Sequence, residues 1–203
     1  MEKVTDRLIE WGVASLALPG QRESGDSHLV KVLSSQALVA VVDGLGHGQE
    51  AAATARLAIK VLEAYAGESL VELVHRCHHE LRATRGVVMS LASFDARENT
   101  LTWLGVGNVE GLLLHREARV FQGPETLLLR GGVVGDHLPS LAASVIQVSE
   151  DDLLIFATDG IRPGFAGHLT LSEPPQVIAD RILSKYGDRT DDALALVARY
   201  NNG

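Results

Sequence analysis

Apolar positions along the chain follow two rhythms. Short runs rich in β-branched residues read as strands, and stretches with apolar residues three and four apart read as helices. Leu8 to Leu18 alternates loosely around Ile9, Trp11, Val13 and Leu16 and is expected to form a first strand, closed by Pro19-Gly20. After the polar loop Gln21 to Ser27, Leu29 to Leu33 reads as a second strand. Leu38-Val39-Ala40-Val41-Val42 has no polar interruption and suits a strand buried on both faces. These three are expected to pair as an antiparallel meander. An alanine-rich helix follows from Gln49 to about Tyr65. Ser69, with Glu72 three residues on, makes a capping box for a second helix. Its apolar stripe is Leu70, Leu73, Val74, Cys77 and Leu81, with His75, His78 and His79 on a solvated face.

Beyond Gly86 the pattern returns to strands: Val87 to Phe94, Leu101 to Val106, Val109 to His115 and a short one at Arg119 to Phe121. Gly131-Gly132 and Gly135-Asp136 mark a loop. Ala142 to Val148 and Asp152 to Ala157 are two further strands, joined by the acidic turn Ser149 to Asp152. Pro174-Pro175 opens a third helix whose apolar face is Val177, Ile178, Ile182 and Leu183, and Ala193 to Val197 is the last strand. Two consecutive helices cannot alternate with strands as a doubly wound fold requires. Short loops between successive strands favour antiparallel pairing. The fold class expected is α+β, with two antiparallel sheets packed together and helices outside. With no repeat, linker or low-complexity segment, residues 1–203 are expected to form one domain with no sensor or regulatory domain.

Composition narrows the partners. A hydrophobic share of 46% supports a sizeable core. Eighteen basic against 26 acidic residues give a net charge of −8, which argues against nucleic acid or an anionic membrane as the main partner. No run approaches the ~18 apolar residues of a spanning helix, and polar Met1-Glu2-Lys3 is unlike a signal peptide. A single cysteine, Cys77, excludes an intrachain disulfide and fits a reducing cytoplasm.

The chemistry gathers where apolar runs stop. The buried run ends at Asp43-Gly44, and Gly46 and Gly48 follow. A phosphate-binding P-loop needs wider glycine spacing and a lysine. A dinucleotide fingerprint needs its third glycine where Gln49 stands. A metal site remains, and it needs carboxylates from elsewhere. Ser24-Gly25-Asp26, Thr158-Asp159-Gly160 and Asp191-Asp192 supply them. Leu153 to Ala157 is a second buried run closing in Asp-Gly. An all-oxygen cluster suits Mg²⁺ or Mn²⁺ rather than Zn²⁺, and several carboxylates around one spot suggest two ions. The implied chemistry is phosphate-ester hydrolysis by metal-bound water.

SGD at 24–26, VVDGLGHG at 41–48, FATDGI at 156–161 and DDALALV at 191–197 resemble, in order, the motifs of the type 2C metal-dependent serine/threonine protein phosphatases (the PPM family), in their SpoIIE-like branch. The resemblance implies an α-β-β-α sandwich with two Mn²⁺ or Mg²⁺ ions at one end. Carried over by motif, the metal donors are Asp26, Asp43, the Gly44 carbonyl, Asp159 and Asp191, with Asp43 bridging both ions. Asp43 and Asp159 are the residues on which catalysis turns, and a metal-bound hydroxide is the implied nucleophile. Asp191 is preferred over Asp192 as the first of its pair. Gln21 stands where the larger branch carries a phosphate-binding arginine, with Arg22 one place off, and Leu45 stands where that branch has a histidine, with His47 two further on. RGVVMSLASFD at 85–95 and GNVEGLLL at 107–114 resemble the bare phosphatase domains of the stressosome. The partners implied are phosphorylated STAS-domain scaffold proteins, met by a cytoplasmic monomer, with the loop Gly131 to Pro139 as a contributor to docking. Two alternatives remain open: a catalytically weak or inactive binding module, and a phosphatase for an anti-sigma factor antagonist.

Overall fold

The computed structural model describes residues 8–116 and 124–201. Eleven strands and three α-helices occur among them. The strands are β1 (Ile9–Leu16), β2 (Asp26–Val32), β3 (Gln36–Gly44), β4 (Val87–Asp95), β5 (Thr100–Val106), β6 (Glu110–Leu114), β7 (Glu125–Thr126), β8 (Leu129–Arg130), β9 (Ser144–Gln147), β10 (Leu153–Ala157) and β11 (Ala193–Tyr200). The helices are α1 (Gln49–Ala64), α2 (Leu70–Glu80) and α3 (Pro175–Tyr186), with a 3₁₀ turn at Phe165–His168. One sheet runs β1-β11-β10-β6-β7 and the other β2-β3-β4-β5-β8, with β9 also on β5.

Period-two alternation builds four layers from these strands. In β3, Ala37, Val39 and Val41 face the core between the sheets, where Leu194, Leu196 and Ala198 of β11 meet them. The intervening Leu38, Ala40 and Val42 face α1 and α2, packing on Ala55, Ala58, Leu62 and Leu73. On the other sheet Ala193, Ala195 and Val197 turn outward onto Ile178, Ala179 and Ile182 of α3. The unbroken apolar run therefore has a cause: each central strand is covered on both faces. The α-β-β-α sandwich expected from the resemblance is the one observed. The second helix opens with the full capping box of Ser69 and Glu72, and α3 starts at Pro175.

Four expectations need correcting. β1 does not join a meander with β2 and β3. It pairs with β11 in the other sheet, from Ile9↔Tyr200 to Leu16↔Ala193. The polar stretch after Pro19 carries the chain across the sandwich instead of turning it back. Asp192 fastens that crossing, accepting from Leu18 N and Gly25 N, each at 2.8 Å. Likewise the acidic turn after Gln147 joins strands of different sheets, because β9 pairs with β5 and β10 with β6 and β11. Among the described pairings β5–β8 is parallel, so the second sheet is not wholly antiparallel. Val177 is 43% exposed and lies off the buried face of α3. The expected strand at Arg119 to Phe121 falls outside the described residues.

The outer edge of β1 is covered. Gln176 Oε1 accepts from Val13 N at 3.1 Å and its Nε2 donates to Val13 O at 2.9 Å. Gly12 allows this approach, since a Cβ there would lie 2.3 Å from the Gln176 backbone.

His75 and His79 are exposed, as a solvated face requires, but His78 Nδ1 accepts from Gly135 N at 3.0 Å and ties α2 to the glycine loop. Cys77 is buried, and burial pushes its thiol up to about 12, which leaves it inert as a nucleophile.

Candidate metal centre

Strand ends from both sheets meet at one pole of the sandwich. β2 begins at Asp26 and β3 ends at Asp43-Gly44, and the register pairs Asp26 with Asp43. β2 therefore starts before Leu29, which puts Asp26 on a strand and not in the preceding loop. From the other sheet, β10 ends just before Thr158-Asp159 and β11 begins just after Asp191-Asp192. Thr158 N donates to Leu194 O at 3.0 Å and Gly44 N to Gly25 O at 3.1 Å, which closes each pair of ends.

Both Asp-Gly pairs need their glycine for space. A Cβ on Gly44 would sit 2.3 Å from the Ala51 carbonyl oxygen, in the first turn of α1. A Cβ on Gly160 would sit 2.0 Å from the Asp192 carbonyl oxygen. Each glycine lets the residue before it lie against the neighbouring backbone. The glycine loop reaches this pole too: Val134 bridges Val87, and Val87 pairs with Gly44.

The carboxylates are close enough to repel. Burial pushes Asp43 up to about 8, helped by the charges of Asp26, Asp159, Asp191 and Asp192. Burial pushes Asp26 up to about 7, with Asp192, Asp159 and Asp191 adding to it against a hydrogen bond from Thr158. These shifts mark a site short of positive charge. Among the described residues no hydrogen-bond donor reaches the Asp43 carboxylate. A largely buried carboxylate with no donor is costly unless a cation arrives. All the available donors are oxygens, the set that suits Mg²⁺ or Mn²⁺. Among the described residues no three acidic, histidine or cysteine side chains already converge at ligand spacing. An ion here would complete its shell with backbone carbonyl and water, as hard cations commonly do.

The two aspartates of the last motif differ in kind. Asp192 is 4% exposed and spends both oxygens on Leu18 N and Gly25 N, so it holds the backbone that presents Asp26. Asp191 is exposed, with Oδ1 accepting from the next amide. Asp159 is exposed and its Oδ2 accepts from Asn108 Nδ2 at 2.8 Å. Arg22 and His47 are both exposed, and Gln21 Nε2 lies 3.5 Å from His47 Nδ1. The sequence alone assigns no role to Thr158 or Asn108. The signal was their adjacency to motifs already marked, Thr158 before Asp159-Gly160 and Asn108 in a Gly-Asn turn between strands.

A model of the family described as Stage II sporulation protein E (SpoIIE) matches residues 34–201. The chain belongs to the SpoIIE family of PP2C-type phosphatases. Members of this family are protein phosphatases. Within it, the chain is 24% identical over 181 residues to the phosphoserine phosphatase RsbX of Bacillus subtilis (strain 168), covering 89% of each. A chain from the structure described as "The bacterial stressosome: a modular system that has been adapted to control secondary messenger signaling" superposes with a TM-score of 0.85 at 33% identity, covering 94% of this chain and 99% of that one. RsbX in complex with magnesium superposes at 0.84 with 23% identity, over 95% and 96% of the two chains. The phosphatase domain of SpoIIE from Bacillus subtilis, with a fragment of its regulatory domain, gives 0.76 at 22%, over 95% of this chain and 63% of that one. The SpoIIE-branch resemblance read from four short motifs thus extends over most of the fold.

Proposed function

We propose that this SpoIIE-family chain is a Mn²⁺- or Mg²⁺-dependent protein serine/threonine phosphatase, one domain across residues 1–203. The observation that carries the reading is Asp43: a strand-end carboxylate that no donor reaches among the described residues, amid four others from both sheets. In this reading Asp43 would be a donor shared by two ions, and the Gly44 carbonyl would be a donor to one of them. Asp159 and Asp191 would hold one ion, and Asp26 would lie near the other. The ions would supply a nucleophile at neutral pH and charge compensation for the phosphoryl oxygens. The rest falls to the chain: Asp192 fixes the backbone before Asp26, and the glycine loop beside Val87 offers a surface for a folded phosphoprotein.

The substrate we propose is a STAS-domain stressosome protein phosphorylated on serine or threonine, met in the cytoplasm by a monomer. The likeness to RsbX and to a stressosome-system structure supports this class. Purified protein is expected to dephosphorylate a phosphoserine protein with Mn²⁺ and to stop in chelator. Activity that survives chelation would rule the mechanism out. Equal rates on phosphorylated STAS proteins, an anti-sigma factor antagonist and unrelated phosphoproteins would overturn the substrate while leaving the phosphatase. A second reading, an inactive binding module, is favoured by Gln21 standing where an arginine would grip phosphate. Uptake of Mn²⁺ in a calorimeter without turnover on any phosphoprotein would select it.

A further inference from the structure

Two of the acidic side chains have one oxygen committed to a side-chain donor from elsewhere in the fold. Thr158 Oγ1 accepts from Leu194 N at 2.8 Å, so its own proton points elsewhere. Asp26 Oδ2 lies 2.8 Å away, while the competing Leu194 carbonyl is at 3.4 Å. The proton therefore goes to Asp26. Thr158 is buried at the end of β10 and Asp26 opens β2, so this bond ties the two sheets together at the pole. Asn108, in the turn between β5 and β6, makes the matching contact with Asp159 Oδ2 at 2.8 Å. Only the NH₂ end of the amide can face a carboxylate.

Both donors are neutral, and that matters. An arginine or lysine in either place would cancel the charge it oriented. A hydroxyl and an amide fix the direction of a carboxylate, leave its charge intact and leave its other oxygen unclaimed among the described residues. Among the described residues Asp43 has no such partner. Among the described residues the pole thus has two carboxylates oriented by side-chain donors beside one, Asp43, that no donor reaches.

We infer that Thr158 and Asn108 are positioning residues, each committing one oxygen of Asp26 and Asp159 so that the other is presented toward a divalent cation. This rests on the reading of the pole as an ion site. Partners of metal-binding carboxylates typically change affinity by about 10–100-fold when removed.

The test is Mn²⁺ titrated calorimetrically into chelator-treated protein. Thr158→Val keeps the shape and loses the proton; it should bind Mn²⁺ about 10–100-fold more weakly. Thr158→Ser restores the hydroxyl and should bind within about threefold of wild type. Asn108 is exposed, so Asn108→Ala tests the second contact without disturbing the core, with about tenfold weaker binding expected. Thermal unfolding in chelator reports the fold of each variant. If Thr158→Val unfolds, Thr158→Ser and Asn108→Ala decide alone. Wild-type affinity in Asn108→Ala and Thr158→Val overturns the inference, as does a loss in Thr158→Ser as large as in Thr158→Val. Wild-type protein that takes up no Mn²⁺ overturns the ion-site reading and the positioning role with it.

Discussion

Asp43→Asn should do opposite things with and without metal. Taking the Asp43 carboxyl from 3.8 to about 8 corresponds to on the order of 6 kcal/mol, at about 1.4 kcal/mol per tenfold change. Part of that belongs to the Asp26 charge, and the side chain keeps some water, so about 2–3 kcal/mol is the expected gain when the charge is deleted. The sign follows from linkage. A carboxyl raised in the folded state gives stability that is complete below its unfolded value near 4 and is lost as pH climbs through its folded value. The advantage of Asp43→Asn in chelator should therefore be absent near pH 4, grow through neutrality and level off above about pH 8. For a chain of 203 residues that is a rise in Tm of about 5–10 °C at pH 8.5. With excess Mn²⁺ the order should invert, because wild type gains binding free energy and the variant has lost its bridging ligand. Paired melts with and without chelator across pH measure both effects. Equal stability at pH 8.5 in chelator would remove the repulsion argument, and equal Mn²⁺-induced shifts in the two proteins would remove Asp43 from the ion site.

Asp192→Ala should destabilise by about 2–4 kcal/mol in urea denaturation, because it orphans two backbone amides at once; a loss under about half a kcal/mol would deny its role as the fastener. His115 is partly buried, which lowers its affinity for a proton, but Glu125 at 3.0 Å and Asp152 at 2.7 Å outweigh this and raise it overall. Its contribution should be complete below the ordinary histidine value of about 6.5 and be lost as pH rises through the raised folded value. The stability difference between wild type and His115→Gln, which cancels the aspartate titrations, should shrink as pH rises above about 6.5; a difference that grows would reverse the assignment. Turnover should vanish with chelator and return with Mn²⁺ in a phosphoprotein assay.

The central strands were legible because burial on both faces leaves a mark that needs no tertiary knowledge: Leu38 to Val42 and Leu153 to Ala157 admit no polar residue. Each ends in Asp-Gly, which exposed the pole as well. Sheet membership was not legible. A short loop shows that two strands are near, but not whether they lie side by side or face to face. The crossing that follows β1 is fastened by Asp192, 167 residues beyond Gly25, and no local pattern carries that. Thr158 and Asn108 escaped for a related reason, since their roles depend on where a hydroxyl proton and an amide point. Val177 misled because apolar character alone does not place a residue on the buried arc of a helix; its neighbours Ile178 and Ala179 occupy that arc.

The amide of Gln176 on Val13 has a consequence for how the molecule meets copies of itself. Among the described residues β1 is the last strand on its side of the sheet, and an open strand edge is a template on which another chain can add. By accepting from Val13 N and donating to Val13 O, one side chain imitates the backbone of a neighbouring strand and occupies the place a stranger would take. The first turn of α3 thus caps the β1 edge at Val13 with the side chain of a single glutamine.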